Sequence, residues 1–322
     1  MEIKFNNVCK TIGTKKILNN VSFSIPPGSV FALIGPNGAG KTTIGRILLN
    51  TYEVSSGNVT VDGVNVSDKK YAQLKNQIGF VLDNLGLFNS LSAWQNVEFF
   101  DRVYHKNDTP LNRINRIQKA LASVDLLNRK DEKPTFFSRG MKQRLAIARL
   151  LTCKPKLVFL DEPSKGLDVE GKLAIRHYIE QLKSKGVTTF ICSHDLGELE
   201  KVVTHIAFIN NGEILFFGTY NDAKKKFSEN TYELTVGSPE FFFEQIKNCD
   251  LVSFATMTSD NKIIVTLKHP NDSLYEWIKS NDIHLYEYKR INDDLENIYV
   301  KIFGLSSVNK EDEVRQHSFG KN

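Results

Sequence analysis

Eight consecutive residues, Gly35, Pro36, Asn37, Gly38, Ala39, Gly40, Lys41 and Thr42, match the spacing G-x-x-x-x-G-K-[ST]. They follow the apolar run 30–34 and open a helical pattern, the context in which that spacing cradles phosphate. Gly38 and Gly40 let the backbone wrap so that successive N–H groups face phosphate oxygens, and the following helix adds its positive end. Lys41 offers a point charge to β- and γ-phosphates, the Thr42 hydroxyl can ligate Mg²⁺, and Thr43 can donate to the α-phosphate. A second constellation is the run 157–160 ending in adjacent carboxylates, Asp161 and Glu162. Strand alternation sends neighbouring side chains in different directions, so Asp161 is assigned to a Mg²⁺ shell and Glu162 to polarising an attacking water. His194 follows another apolar run, at the kind of strand end where doubly wound sheets bind ligands.

Those groups need a scaffold. Four short apolar runs, 30–34, 78–82, 157–160 and 189–192, have the unbroken character of strands buried on both faces of a parallel sheet. Helical spacing appears at 43–49 through Ile44, Ile47 and Leu48, and at 141–151 through Met141, Leu145, Ala148 and Leu151. Residues 205–217 read as a hairpin turning at Asn210-Asn211-Gly212. An α/β domain is therefore expected over 1–220. Beyond it the pattern reads strand 231–236, helix 239–247, strands 251–257 and 262–267, helix 272–280, strand 283–290. That βαββαβ order is ferredoxin-like and predicts a small α+β extension over 221–305, ending in a helix with Leu295, Ile298, Tyr299 and Ile302 on one face. The tail, 306–322, is polar.

Composition narrows the class further. A chain of 322 residues with 41% hydrophobic and 25% charged residues suits about two globular domains rather than a disordered or fibrous protein. No apolar run approaches the ~18 residues of a membrane span, and the first ten residues lack a signal-peptide core. Four widely spaced cysteines, Cys9, Cys153, Cys192 and Cys249, read as buried thiols of a reducing compartment. A cytoplasmic location is expected. The net charge of +5 is uneven: residues 221–322 hold 13 Lys/Arg against 17 Asp/Glu, leaving residues 1–220 basic. A basic face suits phosphates, nucleic acid or an anionic membrane without choosing among them.

The stretch Phe137-Ser138-Arg139-Gly140-Met141-Lys142-Gln143-Arg144, about 20 residues before Asp161, resembles the signature motif of ABC transporter ATP-binding subunits. Pro163-Ser164-Lys165-Gly166-Leu167-Asp168 resembles their D-loop, and Ser193-His194-Asp195 their switch histidine. The resemblance implies a P-loop NTPase fold of the ABC type, with a helical subdomain at about 84–140. It implies ATP and Mg²⁺ as ligands. Two copies, or this chain and a related one, would sandwich two ATP molecules, with Ser138 and Gly140 meeting the γ-phosphate held by the opposite subunit and Asp168 at the shared interface. Glu162 and His194 would then hydrolyse ATP to reopen the dimer.

Two departures from the family pattern stand out. An aromatic residue usually stacks on adenine where this chain has Ile12. The Q-loop glutamine falls at Asp83, an acidic choice that resembles lantibiotic-immunity transporters and brings negative charge towards Mg²⁺. The segment from Leu87 to Val97 is similar to drug and antimicrobial-peptide exporters, with Gln95 where Glu is common. Trp94, Phe99 and Phe100 would suit either a docking membrane subunit or the subdomain core. The expected partners are thus a membrane-spanning permease and a second ATP-binding subunit, with the chain on the inner face of the membrane. Soluble ABC ATPases of ribosomes or DNA are disfavoured by the single P-loop and by the lack of a coiled-coil insertion between 43 and 138, and no nucleic-acid partner is expected. An ATP-gated regulatory module is the remaining alternative.

Overall fold

The strands Val30–Ile34 (β3), Leu157–Asp161 (β7) and Thr188–Cys192 (β8) are buried at every residue. Such runs have no polar face to turn to water, so they form the middle of a layered sheet. The computed structural model describes residues 1–193, 196–227, 230–258, 260–269, 273–281, 283–290 and 294–303. The chain divides after Thr219 into two units.

In the first unit, His205–Asn210 (β9), Glu213–Thr219 (β10) and Ile78–Val81 (β6) complete a six-stranded sheet in the order β10-β9-β3-β8-β7-β6. All neighbours in it are parallel except β10, which returns antiparallel on β9 through the Asn211-Gly212 turn. Ile3–Ile12 (β1), Lys15–Ile25 (β2), Ser56–Val61 (β4) and Val64–Asn65 (β5) form a second, antiparallel sheet. The apolar spacing had pointed to none of these four strands. A chain of aromatic contacts joins the two sheets: Phe5 stacks on Phe23 at 4.6 Å, Phe23 on Phe31 at 5.3 Å, and Phe31 meets the edge of Phe190 at 5.0 Å.

The helices are Lys41–Leu48 (α1), Tyr71–Lys75 (α2), Ala93–Tyr104 (α3), Pro110–Ala122 (α4), Arg139–Cys153 (α5), Val169–Ser184 (α6) and Leu196–Glu200 (α7). Helix α1 starts two residues before its apolar spacing does, because Lys41 and Thr42 occupy the first turn, where polar groups serve a ligand rather than the core. Side-chain caps set the starts of α3, α4, α5 and α6: Ser92 with Gln95 in a capping box, Thr109, Ser138 and Asp168. Gln95, the residue that replaces a common Glu, thus accepts from the Ser92 backbone at 2.9 Å. Trp94 and Phe100 are half-buried and Phe99 is exposed. Cys153 and Cys192 are buried, and burial pushes the Cys153 thiol up to about 12. Cys9 departs from that expectation: it is half-buried and accepts from Asn20 N–H at 3.3 Å.

The second unit contains Tyr220–Phe227 (α8), Thr231–Val236 (β11), Pro239–Ile246 (α9), Val252–Met257 (β12), Ile263–Leu267 (β13), Leu274–Ser280 (α10), Leu285–Arg290 (β14) and Leu295–Phe303 (α11). Its sheet runs β12-β13-β11-β14, antiparallel throughout. Leu234, Val236, Ile263 and Val265 form the core with Phe242 and Ile246 from α9 and Leu274 and Ile278 from α10.

Helices α3 and α4 are tied by a charge with no exposure to water. Asp101 accepts from Arg116 Nε at 2.7 Å and from its second guanidinium nitrogen at 2.9 Å. Removing the acid leaves Arg116 with Asp108 as its other carboxylate and takes from Arg113 the carboxylate 3.4 Å away, so Asp101→Ala should cost about 3 kcal/mol. Urea unfolding of the variant beside wild type checks this; an unchanged midpoint would contradict it.

Candidate active site

The loop after β3 turns sharply enough that Gly38 and Gly40 both take positive φ, 81° and 110°. Gly40 is the N-cap of α1 and makes no side-chain cap, and no acid sits in the first turn. A Cβ at Gly40 would come within 2.7 Å of Leu18, so glycine is required there by space as well as by φ. The first-turn N–H groups stay uncapped by any side chain and face outward with the positive helix end, a receptor for a polyanion. Lys41 folds back over the loop, donating to the carbonyls of Gly35 and Pro36.

Strand β7 delivers the acids beside this loop. Thr42 Oγ1 donates to Asp161 Oδ2 at 3.4 Å. Asp161 is buried, and that burial raises its pKa; the Glu162 and Asp83 charges raise it further, while Lys41 and the Thr42 hydroxyl oppose them. Glu162 adopts left-handed backbone at φ 52°, with its N–H on Cys192 O of β8 at 2.8 Å. That conformation costs about 1 kcal/mol in a residue with a Cβ, and it turns Glu162 away from the strand's own alternation. The hydroxyl–carboxylate pair of Thr42 and Asp161 fits a Mg²⁺ ion, which takes one or two protein oxygens and leaves the rest of its shell to phosphate and water.

A cavity of about 510 Å³ gathers these groups. Pro36, Asn37, Gly38, Ala39, Gly40, Lys41, Thr42, Thr43, Asp83, Asp161 and Glu162 line it; Gly35 lies behind the wall, with its carbonyl on Lys41. Ser138, Gly140 and Asp168 do not line it. Ser138 caps α5, accepting from Met141 N–H at 3.2 Å, and Asp168 caps α6, accepting from Gly171 N–H at 2.8 Å. His194 lies outside the described residues. Ile12, in the place of the usual aromatic, ends β1 and is exposed.

The sequence reading assigned no role to three further lining residues, Lys15, Ile17 and Lys165. Lys15 and Ile17 belong to β2, and the alternation Val21, Phe23, Ile25 was the signal that could have found that strand. Lys165 meets Asp83 at 2.9 Å. Asp83 thus lines the cavity, where its charge reaches Asp161, with Lys165 as its ion-pair partner.

A parallel sheet with a P-loop at the end of one strand and an acid pair at the same edge, one strand removed, defines a P-loop nucleoside-triphosphate hydrolase. Residues 18–165 match the family described as ABC transporter. The linearmycin resistance ATP-binding protein LnrL of Bacillus subtilis is 31% identical over 308 residues, covering 94% of this chain and 98% of that protein. The lantibiotic transport ATP-binding protein SrtF of Streptococcus pyogenes is 39% identical over 233 residues, covering 72% of this chain and 95% of its own. Among solved structures, the dimeric post-hydrolysis ATP-binding cassette MJ0796 bound to ADP and Pi matches with a TM-score of 0.63 and 26% identity, over 67% of this chain and 98% of that one. This chain belongs to the ABC transporter ATP-binding family, whose cassettes bind and hydrolyse ATP.

The raised pKa of Asp161 has a stability consequence. The folded state holds that proton more tightly than the unfolded chain, so the group favours folding at acid pH and loses that contribution as pH rises through the raised value. Asp161→Asn, which mimics the protonated acid, should therefore raise the Tm of protein in EDTA at about pH 8 and leave it unchanged at about pH 4. A variant less stable than wild type at the higher pH would show that the carboxylate is held favourably.

Proposed function

We propose that this chain is the ATP-hydrolysing subunit energising a membrane exporter of a drug, peptide or lipid-like cargo. One observation carries the reading: a single cavity collects the phosphate loop and both acids, while Ser138 and Gly140 of the same chain stand outside it. Such a site is complete only when a second ATP-binding subunit offers its own α5 N-terminus, so ATP serves as the closing element of a dimer. The names of LnrL and SrtF support export of antimicrobial compounds over import.

In this mechanism the amides of 38–43 and Lys41 bind the polyphosphate and hold its γ-phosphate in line with Glu162. Thr42 and, through water, Asp161 would hold Mg²⁺, which when bound supplies charge stabilisation to the phosphates. Glu162 accepts the proton of the attacking water, and His194 assists. Ser138, Gly140 and Asp168 act across the dimer.

The permease contact is assigned to an apolar groove of about 120 Å³ between β6 and the helices α3 and α5, lined by Phe80, Leu82, Leu85, Phe100, Tyr104 and Leu150 among others. Among the described residues no helix is long and apolar enough to cross a membrane, so the reading puts this chain on the cytoplasmic face, bound through its partner.

Glu162→Gln should lower steady-state ATPase at least about a hundredfold and trap an ATP-dependent dimer on size exclusion. Retained hydrolysis would remove Glu162 from its role. Loss of hydrolysis with no dimer in either protein would favour the ATP-gated regulatory alternative or a compulsory partner.

A further inference from the structure

The nucleotide cavity contains an ion pair that the ATPase reading does not use. Asp83 follows β6 and Lys165 lies in the loop after Glu162; their charges meet at 2.9 Å across 82 residues of sequence. On the other carboxylate oxygen of Asp83 stands Arg139, the first residue of α5, at 3.9 Å. The loop is shaped to hold both cations. Lys165 N–H bonds back to Glu162 O at 3.3 Å, closing a turn on the catalytic candidate. Gly166, at φ +67°, leaves the space that the Arg139 side chain fills: a Cβ there would meet its Nε at 3.0 Å.

We propose that Lys165 is a positioning residue for ATP binding, the counter-ion that makes an acid at position 83 compatible with a polyphosphate site. This rests on the ATP-site reading above. Without that lysine three carboxylates, Asp83, Asp161 and Glu162, face a ligand that is itself an anion, with Lys15 and Lys41 as the remaining lysines of the lining. With it, the Asp83 carboxylate has a counter-ion at 2.9 Å, which partly offsets the charge that Asp83 places on Asp161 and on an incoming polyphosphate. The pair is 44% and 47% exposed, so it adds little to fold stability. Its effect falls on the ligand, because a bound nucleotide displaces the water that screens an unpaired acid. Lys165 and Asp83 therefore act as one unit. Neither substitution has its full meaning without the other.

The test is a double-mutant cycle on binding of the fluorescent analogue TNP-ATP by the full chain, in EDTA and again with Mg²⁺. Lys165→Ser should weaken binding about fivefold, and Lys165→Arg should restore it. In an Asp83→Asn background the same Lys165→Ser change should have almost no effect. An equal loss in both backgrounds would overturn the proposal, since it would mean that Lys165 contacts the nucleotide directly. Unchanged binding in Lys165→Ser would overturn it as well, as would a lowered Tm in that variant that accounts for the loss. Wild-type protein that binds no TNP-ATP would sink the ATP-site reading itself, an outcome distinct from equal losses in both backgrounds.

Discussion

The Thr42 hydroxyl lies 3.4 Å from the Asp161 carboxylate although 119 residues separate them, and sheet register sets that distance. Leu33 pairs with Cys192, and Cys192 pairs with Asp161, so one row of residues crosses β3, β8 and β7. Because those strands are parallel, the loop that leaves β3 and the acids that end β7 emerge at the same edge. A one-residue slip of β7 would exchange its faces and take Asp161 out of reach. The burial of all five residues in each strand makes such a slip costly, since every side chain would have to repack in a close-packed interior. Glu162 then breaks the strand's geometry at φ 52°, held there by its bond to Cys192 O. The rigid core tolerates that strain because it is confined to the one residue where the acid must point elsewhere.

The central strands were legible for the same reason they are effective. Runs 30–34 and 157–160 are apolar at every position and 189–192 at all but Thr189, and a strand buried on both faces leaves that mark whatever its partners. The antiparallel sheet was not legible, although β1 and β2 are each longer than any central strand. Register shifts between Phe5 and Val8 and again between Val8 and Lys10 break the two-residue alternation along β1. The phosphate loop and acid pair could be read because each is a local motif. Their common cavity with Lys15, Ile17 and Lys165 could not, since it is assembled from segments far apart in sequence. Asp83 shows the limit most plainly. Its departure from glutamine was visible, but the lysine that answers it sits in another loop and carries no local sign of the pairing.

The segment from 83 to 86 runs from the nucleotide cavity to the apolar groove of the first unit. At its start Asp83 faces the nucleotide cavity, held by Lys165 and Arg139. At its end the carbonyls of Leu85 and Gly86 accept from Arg149, whose guanidinium lies 4.6 Å over the Phe100 ring in the wall of the apolar groove. Burial lowers the Arg149 pKa to about 10, which still leaves it charged near neutral pH. A buried cation bonded to two carbonyls resists displacement, because either bond lost leaves charge without a partner in a shielded site. One residue, Asn84, separates Asp83 from the first of those carbonyls, so the ion pair with Lys165 on one side and the Arg149 guanidinium on the other hold neighbouring points of the same short stretch.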